Sequence, residues 1–146
     1  MAAYSDDDAL KMIRPNICSL GQSSWDDHHD EAANIIDAIL IGRWYKEVAE
    51  ENGVDWRTTP FDRDKIDSNQ IKRLACYKTL DLAYLYLMKD SPEPDGFERE
   101  HKLFGKLFIT ELETLLTLGI NYDWDGDDVI ADEEKYQPQI RRLVRM

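Results

Sequence analysis

Apolar residues recurring every three and four positions, in three long runs separated by strong helix breakers, constrain this chain more than any other feature. Across residues 26–51, Ala32, Ile35, Ile36, Ile39, Leu40 and Val48 fall on one face of a helix, and Asn52-Gly53 ends it by supplying a residue tolerant of the left-handed conformation. Across residues 68–89, Ile71, Leu74, Ala75, Leu82, Ala83, Leu85 and Leu87 spread round most of the circumference, which suits the centre of a helical bundle. The sequence Ser91-Pro92-Glu93-Pro94-Asp95-Gly96 then breaks the chain, because two prolines withhold backbone donors and restrict the residues before them. Residues 97–118 carry Phe97, His101, Phe104, Phe108, Leu112, Leu115 and Leu118 on one side, and Gly119 ends the run. No segment sustains the period-two alternation of a half-buried strand. The expected fold class is all-α: a helical bundle of three long helices plus a short terminal helix, with an acidic loop and an extended C-terminal tail.

The short helix is expected over residues 4–13, where Ser5 can accept orphan N–H groups, acids fill the first turn and Pro15 stops it. At 146 residues the chain is one folding unit of residues 1–134 followed by a tail of residues 135–146. Such a length buries enough surface to fold without covalent staples. Cys18 and Cys76 match no metal or redox spacing and read as reduced structural residues of a protein made in the cytoplasm. No basic segment followed by an apolar run opens the chain, and its apolar stretches are too short for a bilayer span, so no membrane role is expected. The net charge of −12 opposes attraction to a phosphate backbone, which argues against sequence-specific DNA binding.

Residues 121–134 read Asn-Tyr-Asp-Trp-Asp-Gly-Asp-Asp-Val-Ile-Ala-Asp-Glu-Glu. Asp123, Asp125 and Asp127 alternate, Ile130 fills the hydrophobic slot and Glu134 takes the twelfth place, as in a helix-loop-helix calcium loop. With the Val129 carbonyl, these oxygens form a candidate Ca2+ set. Asp128 is the misfit, since the sixth position needs a backbone that glycine supplies more readily. The competing reading is an acidic, solvated turn whose Asp side chains cap local N–H groups.

The tail reverses the charge of the body: Arg141, Arg142 and Arg145 stand among Ile140, Leu143 and Val144. It reads either as a terminus that balances nearby acid or as a segment entering a groove on another chain, with Arg forks meeting carboxylates. Catalytic motifs are lacking. Asp26-Asp27-His28-His29-Asp30 reads as a charged helix start, His101 as a packing residue, and Tyr77, Tyr84 and Tyr86 as packing rings whose hydroxyls reach the rim. No nucleophile elbow or phosphate-cradling loop appears, and an enzyme is not expected.

Taken together, Trp25 before Asp30-Glu31-Ala32-Ala33-Asn34-Ile35-Ile36, the central run Ile71-Lys72-Arg73-Leu74-Ala75-Cys76-Tyr77-Lys78-Thr79-Leu80-Asp81-Leu82-Ala83-Tyr84, and Leu118-Gly119-Ile120-Asn121-Tyr122-Asp123-Trp124-Asp125-Gly126-Asp127 after a breaker and an amphipathic helix resemble the head-to-tail adaptor, or connector, proteins of tailed bacteriophages. The resemblance covers residues 25–134. It implies a structural virion protein of the neck: a helical subunit that forms a homo-oligomeric ring, commonly a dodecamer, beneath the portal protein. The ring would extend the DNA channel, join the capsid to the next neck or tail protein, and dock its C-terminal segment on the portal. An acidic ring would let DNA pass without adhering. The alternative function is a calcium-binding module with a single loop at residues 123–134, against which stands the absence of a second loop to pair with it.

Overall fold

The computed structural model describes residues 3–93 and 95–140, the side chain of Asp90 excepted. Its elements are α1 (Asp7–Ile13), α2 (Asp26–Leu40), α3 (Lys46–Glu51), α4 (Ser68–Asp90) and α5 (Asp95–Leu118), with short 3₁₀ turns between them. The described residues are mostly helical and contain no strand; two isolated antiparallel bridges, Ile66 with Tyr122 and Ile120 with Gln137, stand in place of a sheet. The all-α class is therefore the observed one. Among the described residues no helix is long and apolar enough to cross a membrane.

The N-terminal helix starts later than its sequence suggests. Asp6, not Ser5, is the cap: its carboxylate accepts the Ala9 N–H at 2.9 Å, and Asp7 and Asp8 face the positive end of the helix dipole. Ser5 turns inward, and Tyr4 is buried with its hydroxyl donating to Asp37. The helix expected over residues 26–51 is continuously helical but contains a π-helical turn, Ile41–Tyr45, between α2 and α3. Backbone angles stay right-handed helical at both joints. Within the wider turn two consecutive aromatics, Trp44 and Tyr45, are both buried in the interior.

Asp67 caps α4 by accepting the Asn69 N–H, and α4 packs against α5 along one side and α2 along another. Ile71, Leu74, Leu80 and Ala83 are almost wholly enclosed, in keeping with the apolar positions spread round this helix. The core has two lobes. One joins α2, the π turn, α3, the first part of α4 and the last part of α5; the other joins α1, Trp25, the second part of α4 and Phe104. In the second lobe Tyr84 stacks on Phe104 at 5.9 Å, and Trp25 donates its indole N–H to the Ile17 carbonyl. His101 is a satisfied polar residue, its Nδ1 lying 2.7 Å from an Asp81 carboxylate oxygen while Lys78 holds the other at 3.1 Å. Cys18 and Cys76 are free thiols, and burial pushes the Cys76 thiol up to about 11, which keeps it protonated and inert.

A buried ion pair joins the Arg63 guanidinium to Asp37 at 2.6 Å, and Arg63 also donates to Asn34 at 3.0 Å. This pair ties the turn before α4 to α2, with Arg63 also lying over the Tyr4 ring. Removing one partner would leave the other charge uncompensated in the interior, a loss of roughly 3–5 kcal/mol.

Gly119 fixes how the chain leaves α5. Its φ of +109° lies where L-residues with side chains are strained, and a Cβ there would stand 2.1 Å from the Tyr136 carbonyl carbon. The last helix can therefore stop and let residues 136–137 come alongside only because position 119 carries no side chain.

Candidate functional site

Two sequence features converge beyond α5: the acidic loop and the base of the tail. Both are rooted in one aromatic cluster. Tyr122 and Trp124, two residues apart and so on one side of an extended segment, insert against Trp44 and Tyr45 of the π turn. Tyr45 stacks on Trp124 at 5.6 Å with planes 7° apart, Tyr122 meets Trp124 at 4.5 Å, and Phe61 closes the other side at 5.7 Å from Tyr122. The Tyr122 hydroxyl accepts the Asp62 N–H at 3.0 Å; burial pushes its ionisation well above the ordinary tyrosine value. The ring stays neutral and structural.

From that root the loop folds around its own carboxylates. Asp123 is buried and accepts the N–H groups of Gly126 at 3.1 Å and Asp128 at 2.9 Å. Asp125 accepts from Asp127, and Asp127 from Val129. Buried Glu134 accepts Trp124 and Asp125 on one oxygen and Ala131 on the other. These are the local caps expected of an acidic turn. One carboxylate oxygen from each of Asp123, Asp125, Asp127 and Glu134 lies within 4.8 Å of the others. The structure thus brings together the four carboxylates of the calcium pattern, while Val129 presents a side chain 62% exposed and its N–H to Asp127. Asp128, the misfit, takes a φ of 65° at the sixth position, the left-handed value such a loop needs, held there by its N–H on Asp123.

Among the described residues the loop lacks the two flanking helices of a helix-loop-helix motif. Gly119 ends α5 before Asp123 is reached, and the chain after Glu134 runs back along residue 120 through the Ile120–Gln137 bridge. The loop is framed by bridges because Gly119 lets that return segment approach, and only a 3₁₀ turn, Asp132–Glu134, stands where an exit helix would begin.

The first part of the tail is woven into this frame. Gln137 exchanges both backbone hydrogen bonds with Ile120, at 2.9 and 3.2 Å, and its carbonyl also accepts the Trp44 indole N–H at 2.8 Å. Its amide pairs reciprocally with that of Asn52 at 2.8 and 3.1 Å. Gln139 donates its N–H to Leu116 and accepts from Arg43, which also binds Glu113. Ile140 is half-buried against the core beside a groove of about 480 Å³ lined by Val48, Glu51, Asn52 and Pro138. Of the proposed partner-binding residues, only Ile140 is described; Arg141, Arg142, Leu143, Val144 and Arg145 lie outside the described residues.

A polar cluster also lies where the sequence suggested only a charged helix start. His29 is 2% exposed; its Nδ1 lies 2.6 Å from Ser5 Oγ, and its Nε2–H donates to the Asp7 carboxylate at 3.0 Å. The signal was present, since His29 shares the stripe of Ala32, Ala33, Ile36 and Leu40. The hydroxyl–imidazole–carboxylate order has the residue types of a nucleophilic relay. Thr79 covers the same imidazole nitrogen at 3.4 Å, and the enclosed ring has no open face for a substrate. Its role is to bind the N-terminal segment to α2 and α4.

The loop has its own pH dependence. Hydrogen bonds shared with Asp127 and then Asp123 push the Asp125 carboxyl up to about 6. Burial opposes ionisation of Asp123, but bonds from Asp125 and the Asp128 and Gly126 N–H groups hold its carboxyl below the ordinary value. Asp125 therefore contributes stability that is present below an unfolded aspartate's value of about 4 and is lost as pH rises through about 6. Asp123 acts in the opposite sense, contributing above its unfolded value. We expect the melting temperature of Asp125→Asn to gain on the parent between pH 4 and 6 and to hold a constant lead above that; thermal melts at stepped pH read this directly. A difference independent of pH would contradict the shared proton.

A scan against protein-family models, a search of curated proteins and a search of solved structures each found no match to this chain.

Proposed function

We propose that this chain is a structural head-to-tail adaptor of a bacteriophage neck. It assembles as a homo-oligomeric ring, a dodecamer by the family resemblance, under the portal protein, joins the capsid to the next neck or tail protein, and performs no catalysis. The observation that carries the reading is the anchored base of the tail. Residues 137–139 are fixed to the π turn, α3 and α5, so the described chain ends at Ile140 in a defined place beside an open groove, immediately before the arginine-rich sequence. A docking segment held at its root gives up less freedom on binding than one on a loose linker.

Charge supports the same reading. A subunit of net charge −12, repeated around an axis, concentrates negative potential near the channel and keeps passing DNA from adhering. Such a ring holds the DNA electrostatically at arm's length without recognising its sequence.

A second reading, a calcium-binding module, draws on the four carboxylate oxygens gathered within 4.8 Å and on the left-handed Asp128. Both carboxylate oxygens of Asp123 and of Glu134 already accept backbone N–H groups, which leaves fewer lone pairs for a cation. Calorimetry at neutral pH separates the readings: the adaptor reading expects no heat at micromolar calcium, and saturable heat with rising thermal stability would favour the module.

Co-sedimentation with a portal ring tests the adaptor directly. The intact chain is expected to pellet with the ring. A chain ending at Ile140 is expected to melt at an unchanged temperature and to stay in the supernatant. Equal pelleting of both would remove the docking role of residues 141–146.

A further inference from the structure

A groove of about 540 Å³ opens where α1 crosses α4 and α5, away from the aromatic root of the loop. Its floor is apolar, formed by Met12, Ile13, Cys76 and Leu115, and Met12 is 87% exposed although it is a large hydrophobic residue. Two cations, Lys72 and Arg73, stand exposed on the α4 wall; Glu111 stands on the α5 wall. Neither cation has a carboxylate partner among the described residues. In a chain carrying 30 acidic residues against 18 basic ones, an unpaired basic pair beside an apolar floor is a surface with a defined complement.

The chain itself carries that complement. The acidic loop projects Val129, 62% exposed, followed by half-buried Ile130, and flanks them with exposed Asp127, Asp128 and Glu133. It is an apolar knob in an anionic collar. The loop is also rigid enough to serve as one, since its backbone is held from inside by Asp123 and Glu134. We propose that the groove between α1, α4 and α5 receives the acidic loop of a second copy of this chain, Val129 entering the apolar floor while the collar carboxylates meet Lys72 and Arg73. This names the surfaces of the self-association that the adaptor reading requires, and rests on that reading for a second copy as the occupant.

The physical terms favour a weak, additive contact. Two branched side chains and a pair of rim charges bury far less than the ~1,200 Å² of a stable two-body interface. Assembly is then expected to depend on concentration and to fall with salt, as contacts led by rim charges do.

Sedimentation velocity on the intact chain over a concentration series, with two charge-reversed variants, tests the proposal. One variant carries Lys72→Glu and Arg73→Glu in the groove; the other carries Glu133→Lys in the loop, an exposed collar residue outside the carboxylate network that holds the backbone. Each alone is expected to lose association at least about tenfold while melting like the parent. An equimolar mixture is expected to regain it, because each reversed surface then finds its opposite. Should either variant fail to fold, Val129→Asp, at an exposed position, is expected to show the same loss. Variants that associate like the parent, or that weaken without rescue on mixing, overturn the groove contact and leave the adaptor reading standing. A parent chain that stays monomeric at millimolar concentration and ignores the portal ring overturns both.

Discussion

The packing of Trp44 and Tyr45 against Tyr122 and Trp124 sets where everything beyond α5 lies. Both helical aromatics lie in the π turn, which adds one residue to a helical turn where they enter the core side by side. Buried aromatic pairs contribute on the order of 0.5–1.5 kcal/mol each beyond the area they cover, and here several share one cluster. The Trp44 indole adds a bond to the Gln137 carbonyl, so one side chain supports both the loop root and the tail base. The C-terminal region is in this way continuous with the helical body: loop and tail base are pinned by the same residues.

Much of the helical frame was legible because apolar spacing and breakers are local signals. Gly53, Gly119 and Pro15 stand at the ends the structure gives them, and Ile71, Leu74 and Leu87 are buried as their spacing implies. What escaped depends on contacts made far along the chain. Ser5 has the chemistry of a helix cap, but Asp6 is adjacent and equally able, and His29, 24 residues away, draws Ser5 inward. The π turn breaks the periodicity at Trp44-Tyr45, a signal visible in the sequence as two large aromatics where one apolar position was due. The loop is a mixed case. Four of its carboxylates converge as the calcium spacing implies. The flanking geometry departs from it because Gly119 admits the return segment at residues 136–137, a tertiary contact that loop spacing does not encode. Asp128 shows how local hydrogen bonding offsets a backbone preference that propensity alone weighs against.

Two of the buried titratable residues, Arg63 with Asp37 and His29 with Asp7, hold segments together. The features that face outward among the described residues are an acidic loop with an apolar tip and a basic-walled groove, and the adaptor proposal draws on both.

Native-state hydrogen exchange at the amides of Ile120, Gln137 and Gln139 tests the central claim most directly, namely that the aromatic junction makes the tail base part of the rigid body. Their N–H groups bond to Gln137, Ile120 and Leu116. The account predicts protection close to that of the α4 interior, around Leu74 and Leu80, lost only with global unfolding. Exchange of these three amides at the rate of an open loop, while α4 stays protected, would contradict it.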